Sequence, residues 1–398
     1  MKKSIAIVGG GTAGLFAAAF LDTNIYDVTI YDKKPRLGRK FLVAGDGGFN
    51  LTHSEPLSSF KTRYTPSAWL DAALEQFSNE DLRAWMLERG VPTFVGSSGR
   101  VFPEKGIKPI EVLRCIEQHL MDRQIRIEYN KTFTGWNENE AIVFEDGDIV
   151  KSDYVIFAMG GASWKITGSD GAWIDLFQNK GIETIPFRAA NCAYEIDWSE
   201  KFISRNEGTP LKNIAISHGG KLQKGEAVIT ALGVEGNAIY GLSSEIQKSL
   251  DAGDEVIAHV DFKPTTTLED VIEKLTASKE NTTTTLKEKL KIPRAVIDLI
   301  KESTTKEQYL DIPTLAQFIK EFPLTIIAPA SIDEAISTMG GISLDAITTD
   351  YELKGMENSF CIGEMLDWNA PTGGYLIQAC ASMGVFVADK LNNAGHGL

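Results

Sequence analysis

Surplus positive charge, long apolar runs and patterned cysteine or histidine are what this sequence is short of. Lys and Arg number 40 against 54 Asp and Glu, a net charge of −14. Binding to nucleic-acid phosphates calls for a basic face, so nucleic acid is not an expected partner. No 18 consecutive apolar residues occur, which argues against a transmembrane helix. The cysteines, Cys115, Cys192, Cys361 and Cys380, are scattered without C-x-x-C spacing. That pattern argues against a disulfide framework, a zinc site or a redox pair, and reads as buried thiols of a reducing cytoplasm. The five histidines include no i,i+4 pair, so no metal signature is present. Met1-Lys2-Lys3 before an apolar run is like the start of a signal peptide. Three consecutive glycines interrupt that run, however, and no small-residue cleavage site precedes Asp22-Thr23-Asn24, so a cytoplasmic protein is expected.

What is there suits a large globular protein: 398 residues, 43% hydrophobic and 24% charged, which predicts two or three domains around sizeable cores. The first 32 residues carry the strongest pattern. The run Ser4-Ile5-Ala6-Ile7-Val8 reads as a buried strand, and Gly9, Gly11 and Gly14 then satisfy G-x-G-x-x-G. An Ala-rich helical segment follows, and a second strand, Val28 to Tyr31, delivers Asp32. Gly9 permits the tight turn, Gly11 a close approach to a pyrophosphate, and Gly14 the packing of helix on strand. The helix start at Thr12 and Ala13 offers N–H groups and a positive dipole end to phosphates. Asp32 stands where an acid accepts hydrogen bonds from a ribose diol. Strand, glycines, helix and acid in register predict dinucleotide binding.

Lys33-Lys34-Pro35-Arg36-Leu37-Gly38-Arg39-Lys40 is a basic patch directly after the ribose acid. Lys33, Arg39 and Lys40 can therefore reach phosphates of the same ligand, although such runs are often only solvated faces. In residues 41–53, Gly45, Gly47 and Gly48 make a loop whose backbone can press against a flat ligand, followed by Phe49, Asn50, Leu51, Thr52 and His53. A plain surface turn would leave Phe49 and Leu51 oddly exposed. Trp69 to Arg89 reads as helical, with Ser78 capping a second segment. The Gly96-Ser97-Ser98-Gly99-Arg100 loop fits either an anion or substrate-carboxylate site or an ordinary turn. Lys108 to Met121 reads as an amphipathic helix. Residues 126–148 read as a meander through Phe133 and Trp136. Tyr154-Val155-Ile156-Phe157-Ala158-Met159-Gly160-Gly161 is a further buried strand ending in glycines. Trp164 and Gly168 to Gly171 fit an active-site border or a structural loop equally. Residues 190–264 read as short strands with turn glycines, and 265–320 as helices, with Thr282 to Thr285 a polar linker or cap. Neither stretch carries a second G-x-G-x-x-G after a strand, so a dedicated NAD(P) domain is not expected. Thr372 is placed to cap a helix running to about Asn392, with Leu376, Cys380, Met383 and Val387 on one stripe. Such a helix would aim its positive end at a ligand.

The start resembles the glutathione-reductase-type FAD fold, and GRKFLVAGDGGFNLTH resembles the BaiN/YhiN-type flavoproteins, aminoacetone-oxidase-like NAD(P)/FAD-dependent oxidoreductases. Their loop usually carries Arg-Cys-Asn where this chain has Gly48-Phe49-Asn50, which suggests a subgroup and argues against a mechanism that needs a cysteine beside the flavin. The resemblance covers almost the whole chain, tightest at 1–53, 96–103, 154–171 and 338–388. It implies that backbone near Phe133 meets the adenine and that Gly160-Gly161 returns to the cofactor. It also implies that Gly340-Gly341 is a flavin-adjacent turn and that Gly363-Glu364 bonds the ribityl chain, with Glu364 in place of the commoner Asp. Gly373, Gly374 and Tyr375 would then start a helix aimed at flavin N1/O2.

The implied fold is α/β: a discontinuous Rossmann-like FAD-binding domain, 1–188 and 322–398, with an inserted β-domain at 189–264 and an inserted helical subdomain at 265–321. The implied activity is hydride transfer between a small organic substrate and flavin N5, with NAD(P)H as transient reductant and a substrate pocket between the domains. An oxidase that discharges electrons to O2, or a flavin-bound binding or assembly protein with little turnover, are the alternatives. No acid–base residue is compelled. Asn50, His53, Arg100 and Trp164 are the pocket candidates, and the sequence assigns no oligomeric state.

Overall fold

Lys3–Val8 (β1) lies at the centre of a five-stranded parallel sheet because its apolar residues are covered on both faces, with Ile5 to Val8 buried. The structure is a computed structural model that describes residues 2–43 and 49–397. Thr12–Phe20 (α1) follows β1, and Tyr26–Asp32 (β2) returns beside it, pairing Lys3 with Tyr26 through Val8 with Tyr31. On the other side β1 pairs with Tyr154–Phe157, which pairs in turn with Ser359–Cys361. Arg126–Tyr129 closes the far edge next to β2. Parallel neighbours joined through a helix make this a Rossmann-type α/β layer.

Two glycines let backbone meet backbone against α1. A Cβ on Gly14 would stand 2.1 Å from the Gly9 carbonyl oxygen. The carboxy-terminal helix, Tyr375–His396, lies along α1, and a Cβ on its Gly384 would stand 2.5 Å from the Ala13 carbonyl oxygen and 2.7 Å from Ala17 N. Both helices are buried along most of their length, so apolar area removed from water holds them. The expected Thr372 cap is corrected: the helix begins at Tyr375 with Gly374 as its N-cap and no side-chain cap bond. Gly373 and Gly374 take φ of +121° and +98°, and Gly374 runs so close to Thr52 that a Cβ would meet Thr52 Cα at 2.4 Å.

Smaller elements flank the sheet. Arg39–Val43 (α2) follows β2, and Thr52–His53 (β3) pairs with Arg100–Pro103, which pairs with Thr93–Val95. Phe133–Trp136, Ile142–Phe144 and Ile149–Val150 form a separate antiparallel meander. Phe49 and Leu51 are buried.

The chain clusters into two compact units, Met1–Arg188 with Ser337–Leu398, and Ala189–Ile336. The second unit holds a six-stranded sheet in which Phe322–Ile326 pairs antiparallel with the strand Val256–Asp261. The return to the first unit therefore comes at Ser337, later than the expected 322, because that strand completes the inserted sheet. The stretch 190–264 also contains helices, Glu200–Asn206, Asn237–Tyr240 and Ser243–Asp251. Strands and helices of this unit share one core, so the expected β and helical parts are a single body. Thr282–Glu288 is itself helical, capped by Asn281, in place of a linker. Its Pro210–His218 and Lys221–Ile229 strands turn through Gly219 and Gly220, both at positive φ, as a two-residue hairpin requires.

Gly384→Ala tests the packing of the two helices. Alanine favours a helix interior by about 1 kcal/mol over glycine, yet here its methyl meets backbone. A net loss of about 1–3 kcal/mol is expected, read as a lower thermal midpoint. An unchanged or raised midpoint would show that the helices do not need this contact.

Candidate cofactor and substrate site

The turn after β1 is built from glycine for geometric reasons. Gly9 has φ +108°, and a Cβ there would stand 2.3 Å from the Ala158 carbonyl oxygen. Its N–H donates to Tyr31 O at 2.8 Å, and Gly38 N–H donates to Gly10 O at 2.8 Å. Gly11 is the exception: a Cβ there would meet nothing within 4 Å. It is the N-cap of α1, a helix with no side-chain cap and no acid in its first turn. The open space therefore faces uncapped N–H groups at the positive end of a dipole.

Asp32 is fixed at the end of β2. Its Oδ2 accepts from Gly10 N at 2.7 Å and its Oδ1 from Lys34 N at 2.7 Å. Burial pushes its carboxyl above the usual range, while those two N–H bonds and the nearby lysines pull the other way. Each oxygen keeps lone-pair capacity for a further donor.

Lys33 pairs with Asp170 at 2.7 Å. Lys40, from α2, donates to Ser163 Oγ at 2.8 Å and to Glu364 Oε2 at 2.9 Å. No hydrogen bond or ion pair joins the Arg39 side chain to another described residue. Glu364 stands beside the Gly160-Gly161 turn, where a Cβ on Gly161 would fall 3.6 Å from Glu364 Cβ. Gly160 O accepts from Trp173 Nε1 at 3.0 Å. Gly363, at φ +79°, would place a Cβ 2.9 Å from Ala13 Cβ and 3.7 Å from Cys380 Sγ. The start of α1, Gly161, Gly363-Glu364 and the terminal helix are thus neighbours. Gly340 N–H donates to Asp367 Oδ1 at 2.8 Å, and a Cβ on Gly341 would stand 2.2 Å from Met365 O, which ties that turn to the same segment. Phe133 packs its ring on Trp136, Phe157 and Phe177, inside the core. Phe49 packs edge-on against Phe41. Gly47 and Gly48 lie outside the described residues.

A second polar group surrounds the terminal helix start. Tyr375 OH donates to Glu55 Oε1 at 2.6 Å, and Glu55 accepts a two-pronged contact from Arg63 at 2.9 and 2.7 Å. Tyr64 OH donates to Tyr375 O at 2.8 Å. His53 stacks on Tyr375 with ring centroids 5.4 Å apart. Its Nδ1 accepts from Glu55 N–H, which leaves Nε2 to donate to Ser98 O, so both ring nitrogens are engaged. Arg100 stands opposite His53 in the strand pair. Glu55, Arg63 and Thr338, whose hydroxyl accepts from Ala162 N–H, were not singled out in the sequence. Glu55 and Arg63 pair across a short loop that carries no motif, while the bonds of Glu55 to Tyr375 and of Thr338 to Ala162 span distant parts of the chain. Trp164 takes a left-handed φ of +61° at the head of the short turn Lys165–Thr167. No hydrogen bond or ring stack joins it to Asn50, His53 or Arg100 among the described residues.

The model of the HI0933-like protein Rossmann domain matches residues 3–390. The chain belongs to this HI0933-like family. The fold class and the resemblance drawn from the sequence agree with that membership. The chain is 24% identical over 400 residues to a ribosomal RNA dihydrouridine synthase of Haemophilus influenzae, covering 94% of each chain. It is 25% identical over 397 residues to a 3-dehydro-bile acid delta(4,6)-reductase of Clostridium scindens, covering 94% of this chain and 95% of that one. Among solved structures it is similar to a 3-ketosteroid-delta4-(5alpha)-dehydrogenase of Rhodococcus jostii, at a TM-score of 0.46 and 13% identity over 99% and 96% of the two chains. Among the described residues, no helix is long and apolar enough to cross a membrane, and no group of three or more His, Cys, Asp or Glu side chains could hold a metal ion. Burial pushes the Cys192 thiol up to about 11, and raises Cys361 and Cys380 as well, so burial disfavours the thiolate at these three positions of the HI0933-like chain.

Glu55 gives the site a pH signature. Burial raises its carboxyl, and the Arg63 and Tyr375 bonds outweigh that, holding it below the usual carboxylate value. Its stabilising contribution is therefore present above the ordinary carboxylate range and lost as pH falls through the lower folded value. Glu55→Gln is expected to cost about 1–2 kcal/mol at pH 7, the difference from wild type shrinking toward pH 3. Denaturant midpoints across pH 3–7 check this, and a constant difference would refute it.

Proposed function

We propose that this chain is an FAD-dependent oxidoreductase that adds hydrogen across a carbon–carbon double bond conjugated to a carbonyl, with NAD(P)H as the reductant. The observation that carries the cofactor is the open space at Gly11, beside the uncapped start of α1. The surrounding donors and acceptors suit a dinucleotide. Thr12, Ala13 and Gly14 would offer N–H groups to its phosphates, Lys33, Arg39 and Lys40 counter-charge, and Asp32 a ribose acceptor. Glu364 would receive a hydroxyl of the ribityl chain, with Lys40 and Ser163 holding its carboxylate in place. When bound, FAD supplies a carrier that takes two electrons from one partner and passes them to another.

The substrate class rests on the names of the full-length relatives. A delta(4,6)-reductase acts on double bonds, and dihydrouridine is uridine with two hydrogens added beside a ring carbonyl. A small molecule is the first reading, since the net charge of −14 disfavours a polyanion. The second reading is a uridine in RNA, favoured by the ribosomal RNA dihydrouridine synthase among the relatives.

The FAD-loaded protein is mixed without oxygen with NADPH or NADH, and the visible absorbance of the flavin is followed. Bleaching by the pyridine nucleotide, then recovery on adding a small enone, is the expected result. Recovery only with uridine-containing RNA would select the second reading, and recovery only with O2 would select an oxidase. Gly11→Val is expected to shift folding stability by about 1 kcal/mol or less, because a Cβ there meets no atom of the described residues within 4 Å. It is expected to weaken FAD binding by roughly 100-fold. Retained FAD affinity, read by flavin fluorescence, would remove Gly11 from the cofactor site.

A further inference from the structure

Most half-buried cations of the first unit have a partner. Lys33, Lys40, Lys61, Arg83 and Lys131 each hold a carboxylate. Arg100 does not. It is half-buried, and no hydrogen bond or ion pair joins its guanidinium to another described residue. Its N–H donors are therefore available to an acceptor brought by a ligand.

The neighbours define what that ligand meets. Arg100 pairs with His53 across the strands, which places both side chains on one face. Its Nε lies 3.5 Å from the Cβ position of Gly373, so the side chain runs past the turn that starts the terminal helix. Gly373 has no side chain to cover it. His53 is committed at both ring nitrogens, Nδ1 accepting from Glu55 N–H and Nε2 bonded to Ser98 O. The nearby acid, Glu55, is held by Arg63 and Tyr375. The result is a guanidinium with planar N–H donors beside the Gly373-Gly374 turn and no hydrogen bond or ion pair to another described residue.

We infer that Arg100 binds the carbonyl oxygen of the substrate, and that the substrate is an α,β-unsaturated carbonyl compound. The inference rests on the function proposed above and adds the residue that selects the substrate. Hydride delivered to the β-carbon, with its two electrons coming ultimately from NAD(P)H, breaks the C=C π bond and places negative charge on that oxygen until a proton from solvent reaches the α-carbon. A guanidinium meets this charge with two N–H donors and needs no proton of its own. Lysine would keep the charge and lose the planar fork.

The test uses para-chlorophenolate, whose oxygen carries conjugated negative charge, titrated into the FAD-loaded full-length protein. A saturable long-wavelength change in the flavin spectrum is expected for wild type. Arg100→Ala is expected to weaken phenolate binding at least about tenfold, and Arg100→Lys by less, with FAD affinity within about twofold of wild type in both. Equal phenolate binding by Arg100→Ala overturns the inference, as does a wild type that holds FAD and shows no saturable change. Parallel loss of FAD and phenolate in both variants would instead make Arg100 a cofactor anchor and also overturn it. A wild-type protein that takes up no FAD at all defeats the underlying functional reading, which the phenolate arms alone cannot do.

Discussion

Three backbone-to-backbone approaches hold the first unit together, and everything at the candidate site depends on them. Gly9 lies against the Ala158 carbonyl, Gly14 against the Gly9 carbonyl and Gly384 against the first turns of α1. Each leaves less room than one methyl group requires. A side chain at Gly14 or Gly384 would have to lift α1 from the sheet or from the terminal helix. The start of α1 would then leave Gly363, whose Cβ position already stands 2.9 Å from Ala13. The orientation of the uncapped helix end is therefore fixed by packing, and no side-chain hydrogen bond serves as its cap. Close packing of this kind transmits small displacements without absorbing them.

Electrostatics then decides which groups are held within the protein. The chain is acidic overall, yet acids near α1 and the terminal helix are committed to local donors. Asp32 takes two backbone N–H groups, Glu364 takes Lys40, and Glu55 takes Arg63 and Tyr375. For Asp32 the burial penalty exceeds what its N–H bonds return, as the direction of its shift shows. Glu55 is the opposite case. Its partners outweigh burial, and it stabilises the fold while holding the terminal tyrosine.

The sequence made the first half of this legible because local constraints coincide there. A glycine turn between a buried strand and a helix, with an acid at the end of the next strand, has few structural solutions. The same logic failed where the deciding contact is distant. Phe322–Ile326 alternates buried and exposed residues like any half-buried strand, and nothing local says which sheet it joins. Its pairing with Val256–Val260 decided that. Thr372 looked like a cap because it precedes an apolar stripe. The helix instead starts after two left-handed glycines, forced by the closeness of Thr52. Glu55 and Tyr375 are separated by 320 positions, so their bond has no sequence signature.

The disposition of protons around Tyr375 narrows the chemistry further. His53 has both nitrogens engaged, the Tyr375 proton is directed at Glu55, and Glu55 is ionised against Arg63. Burial holds the Tyr375 phenol above its usual value, so it yields a proton less readily than a free tyrosine. On the reading proposed above, this group of residues orients and stabilises charge, and is poorly arranged to transfer a proton at the same instant. A substrate whose added charge can rest on a carbonyl oxygen suits such a site, because protonation of its α-carbon can follow from solvent. A substrate with an isolated double bond has no such resting place for the charge and would need a proton donor in concert with hydride. Arg100, a guanidinium with no hydrogen bond or ion pair to another described residue, fits the first kind of substrate and does nothing for the second.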